Sequence, residues 1–390
     1  MKLLLYSHFF APSIGGVETL VQCLARGLAN AESADGQKSF SITLVTQTPA
    51  EDCDDRSFPY PVIRQPKLSR LWSLIRATDV IHVAGTAIMP ILLGLLARKP
   101  VVVEHHGFQS ICPNGQLLIE PAGIPCPGHF MAGHHAVCLR CNSTQGWFAS
   151  FRLWALTFLR RFLCARVAAN ITPTQWLGQL VQLPHVVAIQ HGLANSAAPT
   201  APAQPTSPPT IAFLGRLVTT KGVTTLVDAA QILRAQNKAF SLLIGGDGPE
   251  RQNLKQFVKS ARLEDITRFT GRVPASELDA LLNTVSVVVV PSVGGEVFGL
   301  VVAENMLRGL PVVASNLGAF VEVLGSAGLT FETGNAQALA SQLARLLDDP
   351  ALRATLAQQA RQRAIDSFSL AGMLNSHTAI YGKVSQKTRE

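Results

Sequence analysis

The chain has 390 residues, of which 47% are hydrophobic, and its formal net charge is +8. One hydrophobic core rarely organises a chain of this length, so we expect two globular lobes. No acidic residue lies between Glu120 and Asp228, whereas seven basic residues do. The resulting positive potential favours phosphorylated small molecules or anionic lipid as ligands. Nucleic acid is disfavoured, because the sequence lacks the combined aromatic and basic signature of a nucleic-acid module.

Two apolar segments must be considered as a possible signal peptide and a possible membrane span. The N-terminal run "MKLLLYSHFF" is too short for a signal peptide, and we expect it to form the first strand. Residues 80–97, "VIHVAGTAIMPILLGLLA", have the length of a membrane span, but Gly85 divides them and a second apolar run follows. A strand followed by a buried helix explains this pattern better. We therefore expect a cytoplasmic protein whose cysteines are mostly reduced.

Short β-branched runs alternate with helical stretches through residues 1–193 and again through 211–375. This alternation predicts an α/β fold with two doubly wound, Rossmann-like lobes, each built on a parallel sheet covered on both faces. Residues 194–210 separate the lobes, and their five prolines predict a semi-rigid linker. We predict that residues 376–390 form a C-terminal helix that crosses back to the first lobe.

Glycine-rich segments follow two strands of the second lobe, where open parallel sheets bind ligands. The segment "FLGRLVTTKG" places Arg216 and Lys221 between a strand and a helix, where they could flank one anion. The segment "IGGDGPE", residues 244–250, has the same position after another strand. Each segment is compatible with a diphosphate site, and equally with an ordinary surface turn.

Two carboxylates accompany these segments. In residues 285–309, a buried strand is followed by a loop that contains Glu296 and by a helix that contains Glu304. An acid near a helix start can be structural, because the helix dipole favours it there. Carboxylates also accept hydrogen bonds from hydroxyl groups, whereas N–H groups, Arg and Lys bind phosphate. The combined set matches a sugar nucleotide, which contains a diphosphate, a ribose and a sugar.

Seven motifs, in this order along the chain, resemble those of the retaining glycosyltransferases of family 4. They are "APSIGGVE", "EHHG", "GRLVTTKG", "GDGPE", "FTGRV", the stretch from Glu296 to Glu304, and "GLPVVASNLGAFVEV". The resemblance covers nearly the whole chain. It implies the GT-B architecture, in which two Rossmann-like lobes face a central cleft, with the acceptor on the side of the first lobe.

The resemblance also implies roles for individual residues. Arg216 and Lys221 would hold the diphosphate, Glu296 the sugar hydroxyls and Glu304 the ribose, while His106 would contact the donor sugar. The residues that it implies in donor binding are Gly15, Gly16, Gly215, Gly246, Asp247, Gly248, Phe298, Gly299, Leu300 and Glu304, and those that it implies in catalysis are His106, Arg216, Lys221 and Glu296. For His105 and His191 we expect positions in the core or at a strand edge.

The implied reaction moves a sugar from a nucleoside-diphosphate sugar to a glycan or lipid-linked acceptor, with retention of configuration, in cell-surface polysaccharide or glycolipid synthesis. The family's retention is attributed to front-face attack, in which a donor phosphate oxygen takes the acceptor proton, so no nucleophile is expected. Catalysis requires no metal cofactor, because no DxD-like acid cluster lies near these loops. The alternatives are a nucleotide-sugar epimerase of the same architecture and a non-catalytic subunit that binds sugar nucleotides.

Residues 107–146 form a cysteine-rich insertion that contains Cys112, Cys126, Cys138 and Cys141. The closing Cys-x-x-Cys pair has the spacing of metal ligands, whereas the longer gaps are less specific. The four thiolates could hold a structural zinc, remain free thiols or form disulfides.

Residues 147–166 carry aromatic side chains at helical spacing together with four arginines. Such a helix could lie peripherally on the anionic inner face of a membrane. The alternative is an aromatic stripe buried against the sheet.

Overall fold

The computed structural model describes residues 1–13, 15–32, 38–51, 53–141, 146–193 and 207–386. Contacts between Cα atoms divide the chain into two compact units. The first contains Met1–Gln116, Gly128–Ala194 and Ser369–Glu390, and the second contains Leu117–Pro127 and Asn195–Phe368.

The first unit is built on a seven-stranded parallel sheet. Its strands are β1 (Lys2–Ser7), β2 (Ser41–Thr46), β3 (Val62–Arg64), β4 (Val80–Ala84), β5 (Val101–Glu104), β8 (Ala169–Thr172) and β9 (Val186–Ala188), and a separate hairpin is formed by β6 (Leu118–Ile119) and β7 (Ile124–Pro125). The spatial order is β3-β2-β1-β4-β5-β8-β9. The central strands β4 and β5 are buried throughout, as expected of parallel strands covered on both faces.

Helices cover this sheet. They are α1 (Gly16–Ala29), α2 (Leu68–Arg76), α3 (Ile88–Leu96), α4 (His135–Cys141), α5 (Trp147–Cys164), α6 (Gln175–Val181) and α14 (Leu370–Gln386). One core cluster includes Leu24 and Leu28 of α1 together with Met373 and Tyr381 of α14. Another includes Ile91 of α3. Residues 80–97 thus form a strand and a packed helix, as predicted, and no helix in the described part of the chain is long and apolar enough to cross a membrane.

The second unit repeats this architecture with six parallel strands. Its strands are β10 (Thr210–Leu214), β11 (Ser241–Gly245), β12 (Thr267–Gly271), β13 (Val287–Val290), β14 (Val312–Ser315) and β15 (Leu329–Phe331), in the order β12-β11-β10-β13-β14-β15. Its helices are α7 (Val223–Ala235), α8 (Arg251–Ser260), α9 (Ala275–Leu282), α10 (Leu300–Leu307), α11 (Gly318–Leu324), α12 (Ala336–Asp348) and α13 (Pro350–Ser367). The strand order reverses at β10, which has β11 on one side and β13 on the other. Ligands of open α/β sheets bind at such a switch point.

The boundaries differ in detail from those predicted. The C-terminal helix α14 begins at Leu370 rather than at residue 376, and it belongs to the first unit. Within the cysteine-rich insertion, Leu117–Pro127 belongs to the second unit. Most of the predicted linker, residues 194–206, lies outside the described residues.

Candidate functional site

Loops at the carboxyl edge of the second sheet are joined by backbone hydrogen bonds. Gly215 N–H donates to Gly245 O at 3.0 Å, and Leu217 N–H donates to Asp247 O at 2.9 Å. Val293 N–H, in the loop after β13, donates to Thr220 O at 2.8 Å. The two glycine-rich segments and the loop of Glu296 are therefore brought together on both sides of the switch point.

Two glycines permit this close approach. Gly222 has φ +60°, and a Cβ atom there would lie 2.1 Å from Pro291 O. Gly246 has φ +125°, and a Cβ atom there would lie 1.8 Å from Gly215 O. Any side chain at either position would separate the loops, which accounts for the glycines in both segments.

Lys221 and Glu296 form an ion pair at this edge, between Nζ and Oε1. The same Glu296 oxygen accepts a hydrogen bond from Ser292 Oγ at 3.0 Å. The side chains of Lys221 and Glu296 are 29% and 13% exposed, so both remain accessible to a ligand. Arg216 is exposed, and its guanidinium makes no hydrogen bond or ion pair among the described residues.

The helix α10 begins beside this pair, at the end of the loop that contains Glu296. Gly299 is its N-cap, with φ +97° and no side-chain hydrogen bond to the first turn. The first N–H groups of a helix have no partner within the helix, and they attract anions. Gly299 also packs against the ring of Phe320, where a Cβ atom would lie 2.6 Å from Cε1.

Glu304 lies in the second turn of α10 and is half-buried. Its carboxylate accepts no hydrogen bond from the described residues, and the nearest charge that acts on it is Arg308. Burial raises the pKa of Glu304, and Arg308 only partly opposes this effect. An anionic carboxylate with unused acceptor capacity is suited to a ligand that brings hydroxyl groups.

At the carboxyl end of β5 in the first lobe, Glu104 is buried among imidazoles. Its oxygens lie 3.1 Å from His82 Nε2, 3.5 Å from His377 Nε2, and 3.6 Å from both His106 Nε2 and His191 Nδ1. Burial would raise the pKa of Glu104, but His106, His377 and His82 together hold it well below its usual range. Glu104 is therefore a buried carboxylate enclosed by four imidazoles.

His106 follows this carboxylate directly and stacks on the ring of His191, with ring centroids 5.5 Å apart. Burial lowers the pKa of His106 despite the nearby Glu104, so the ring is neutral near pH 7. A neutral imidazole fits the predicted role of a hydrogen-bonding residue that positions the sugar. The glycines of "APSIGGVE" begin α1 in the same lobe, with Gly15 as its N-cap.

Residues 197–363 match the family model of the glycosyl transferases group 1. This match lies within the second unit, Asn195–Phe368.

Curated relatives of this domain include glycosyltransferases. The chain is 33% identical over 183 residues to 2-deoxystreptamine glucosyltransferase of Streptomyces kanamyceticus, covering 46% of this chain and 47% of that protein. It is 34% identical over 244 residues to phosphatidyl-myo-inositol mannosyltransferase of Mycobacterium leprae, covering 62% of this chain and 64% of that protein. The match thus spans about half to two thirds of the length of these relatives.

The fold of the whole chain agrees with solved structures that have the GT-B fold. Anabaena HepE in complex with UDP superposes with a TM-score of 0.73 at 19% identity, covering 98% of this chain and 100% of that chain. This likeness confirms the predicted two-lobed α/β GT-B class.

The structure gathers most of the predicted residues of the second lobe at one sheet edge. The loops that contact one another at this edge carry Gly215, Arg216, Lys221, Gly246 and Glu296. The loop of Glu296 leads into the start of α10. Asp247 has a structural use, because its carboxylate accepts a hydrogen bond from Gly248 N–H at 2.8 Å and pairs with Arg251 at 3.2 Å. Phe298 is buried, and its ring packs against Phe368 with ring centroids 5.4 Å apart.

The structure does not bring the four cysteines of the insertion together as a metal-binding group. Cys112 Sγ lies 3.0 Å from Asn114 Oδ1, and Asn114 Nδ2 lies 3.5 Å from Cys141 Sγ. Among the described residues, no three of the thiols have sulfur atoms within 4.8 Å of one another. As placed, the thiols do not fit a four-thiolate zinc site, and zinc binding by Cys112, Cys126, Cys138 and Cys141 remains a prediction.

The aromatic helix α5 presents much of its aromatic surface to solvent. Trp147 is 67% exposed and Phe148 is 80% exposed, and Phe151, Phe158 and Phe162 are also exposed. The buried residues of α5 are Ser150, Thr157, Leu163 and Cys164. The stripe is therefore not buried against the sheet, although Trp154 and Phe158 contact the ring of His135.

Sequence reasoning missed the carboxylate cluster of the first lobe. His82 and Glu104 had a signal, since each is a polar residue inside an otherwise apolar strand, "VIHVA" and "VVVE". In the register of β4 with β5, His82 pairs with Val102, so Glu104 lies two residues further along the same face. The sequence contains no signal for His377, because this residue lies on α14 and reaches the cluster only through tertiary packing. His105 is a core residue, as expected, and its Nε2–H donates to Asn170 Oδ1 at 2.9 Å.

Proposed function

We propose that the chain is a retaining glycosyltransferase that moves a sugar from a nucleoside-diphosphate sugar to an acceptor. The convergence of Lys221, Glu296, Arg216 and the start of α10 at one edge of the second sheet carries this proposal. Cations and unpaired N–H groups suit the diphosphate, and carboxylates suit the hydroxyl groups of the ribose and sugar.

The relatives support the same class. Two of the curated relatives are named as a glucosyltransferase and a mannosyltransferase. HepE has been solved with UDP and with UDP-glucose. By this analogy the donor of the present chain is a nucleoside-diphosphate hexose.

The proposed chemistry concerns the charge that leaves with the diphosphate. When the anomeric bond breaks, Arg216, Lys221 and the N–H groups of α10 stabilise the developing negative charge without having to reorganise. Glu296 holds the sugar hydroxyls and keeps Lys221 oriented through their ion pair. Glu304 accepts from the ribose. The acceptor proton goes to a donor phosphate oxygen, so the chain supplies no nucleophile, and neutral His106 positions the sugar.

We further propose that the acceptor is a glycan or a lipid-linked molecule and that α5 contacts an anionic membrane. The exposed rings of Trp147 and Phe148 would enter the headgroup region, and the exposed Arg152 would pair with lipid phosphates. Arg161 is not available for this, since it donates to Val181 O and Gln182 O. A cytoplasmic enzyme of cell-surface polysaccharide or glycolipid synthesis would combine these properties.

A thermal-shift screen tests whether the second lobe binds a sugar nucleotide. UDP-, GDP- and ADP-linked glucose and mannose are compared with glucose 1-phosphate as the control. A donor at about 100 times its Kd stabilises the fold by about 2.7 kcal/mol, so the matching base should raise the Tm and the control should not. If none of the six donors raises the Tm, the proposal is wrong.

A further inference from the structure

The group His82, Glu104 and His377 joins three elements of the first lobe at one point. Glu104 Oε2 lies 3.1 Å from His82 Nε2 and 3.5 Å from His377 Nε2. The two imidazole side chains are fully buried and the carboxylate is 4% exposed. Neither Nε2 atom has a hydrogen-bond partner among the described residues. Two buried ring nitrogens aimed at a buried carboxylate, neither with a hydrogen bond of ordinary geometry, leave a place where a third species could bind.

The Nδ1 atom of each imidazole lies within hydrogen-bond distance of a group on α14. His377 Nδ1 lies 2.9 Å from Met373 O, and His82 Nδ1 lies 2.9 Å from Tyr381 OH. A carbonyl oxygen only accepts hydrogen bonds, so His377 Nδ1 carries the hydrogen. In the neutral ring, Nε2 then presents its lone pair to a carboxylate oxygen, and two electron-pair donors face each other. This is the arrangement of a metal-bound histidine, whose other nitrogen donates to a carbonyl.

The spacing of the three atoms also fits a shared ion. Metal bonds of about 2.0 to 2.2 Å place neighbouring ligand atoms about 3.0 to 3.5 Å apart in tetrahedral or octahedral geometry. The ligand atoms of His82, Glu104 and His377 all lie within 4.8 Å of one another. At 3.5 Å, His377 and Glu104 are too far apart for an ordinary N–H···O hydrogen bond, which spans about 2.7 to 3.2 Å.

We propose that His82 Nε2, Glu104 Oε2 and His377 Nε2 bind a divalent transition-metal ion of the zinc and iron class. Two imidazoles and one carboxylate are the ligands that such ions prefer, and water completes the coordination. The ion neutralises the buried Glu104 and fastens α14 to β4 and β5. This proposal does not depend on the proposed transfer reaction.

Metal analysis of the full-length protein, purified without added metal and after removal of any histidine tag, tests the site. The wild-type protein should contain a transition metal at close to one equivalent in this site. His82→Gln and His377→Gln should each lose that equivalent. His185→Gln, which changes an exposed histidine of the same lobe, should retain it, and so should Cys138→Ser.

Cobalt identifies the ligands independently of the histidine variants. The Cys138→Ser protein produced in cobalt-supplemented minimal medium should retain visible Co²⁺ bands without the near-ultraviolet thiolate charge transfer that cysteine ligands would give. A wild-type protein with no transition metal and no Co²⁺ spectrum would overturn the proposal. A Co²⁺ spectrum with thiolate charge transfer only, or unchanged metal content in folded H82Q and H377Q, would also overturn it.

Discussion

The carboxylate of Glu304, which we propose binds the ribose, should destabilise the free protein at neutral pH. Its carboxylate is half-buried, accepts no hydrogen bond from the described residues, and has a pKa raised by burial. In the folded state the group therefore binds its proton more tightly than in the unfolded state. The folded protein loses stability as the pH rises from the ordinary value of 4.5 through the raised pKa.

Glu304→Gln should therefore stabilise the free protein and weaken donor binding. Near pH 7 we expect a Tm gain of roughly 1 to 2 °C, which corresponds to about 1 kcal/mol for a chain of 390 residues. The gain should shrink as the pH is lowered towards 4.5, where the wild-type carboxyl becomes protonated. Thermal unfolding across this pH range measures the effect, with Glu277→Gln on α9 as the exposed control.

The same variant tests the contact with the ribose. A donor that lacks the ribose 2'-hydroxyl should bind the wild-type protein less tightly, and the variant should discriminate less between the two donors. Equal discrimination by both proteins would show that Glu304 has no role in ribose binding.

At the scale of elements, local signals predicted the strands well. The β-branched runs of the predicted alternation correspond to strands, because parallel strands buried on both faces need continuous β-branched sequence. The short strands β3, β6 and β7, of two or three residues each, were not predicted. Asp349 and Pro350 mark the boundary between α12 and α13. Asp349 caps α13 by accepting a hydrogen bond from Leu352 N–H at 2.9 Å.

The helix α5 could not be assigned from its sequence alone. Aromatic residues at helical spacing serve equally for a core and for a membrane surface, and only the structure shows which rings are packed. The guanidinium of Arg166 stacks on the ring of Phe162, 3.4 Å from the ring centroid, so this arginine is engaged within the protein.

Binding to lipid vesicles tests the proposed membrane contact of α5. The wild-type protein should co-sediment with anionic vesicles and less with neutral ones, and salt should weaken the binding. Phe148→Ser removes a ring that is 80% exposed and should reduce binding about tenfold or more, since a buried Phe contributes about 1.5 to 3 kcal/mol. Ile365→Ser, at an apolar residue of α13 that is 47% exposed, is the control. Equal binding by the two variants would contradict the contact.

At the scale of the whole molecule, the sequence predicted the two-lobed class and the position of the two glycine-rich segments at one edge of the second sheet. Those segments lie directly after strands, so the rule that strand ends meet at one edge brings them together. The first-lobe cluster could not be predicted in this way. The cluster forms because α14 packs against the first sheet beside β4. The burial of His377 and Tyr381 becomes apparent only when that packing is known.

The measurement that tests the proposed function most directly is the turnover of a labelled nucleoside-diphosphate sugar, followed as release of the nucleoside diphosphate and transfer of the sugar. Wild-type protein should release the diphosphate slowly to water and faster with an acceptor. Lys221→Ala removes a charge-assisted contact of about 1.5 to 3 kcal/mol, so kcat/KM should fall about 10- to 150-fold. Lys238→Ala, which breaks the surface pair with Asp348, should leave turnover unchanged. Binding without turnover, conversion of the donor to an epimer, or full activity in the Lys221 variant would contradict the account.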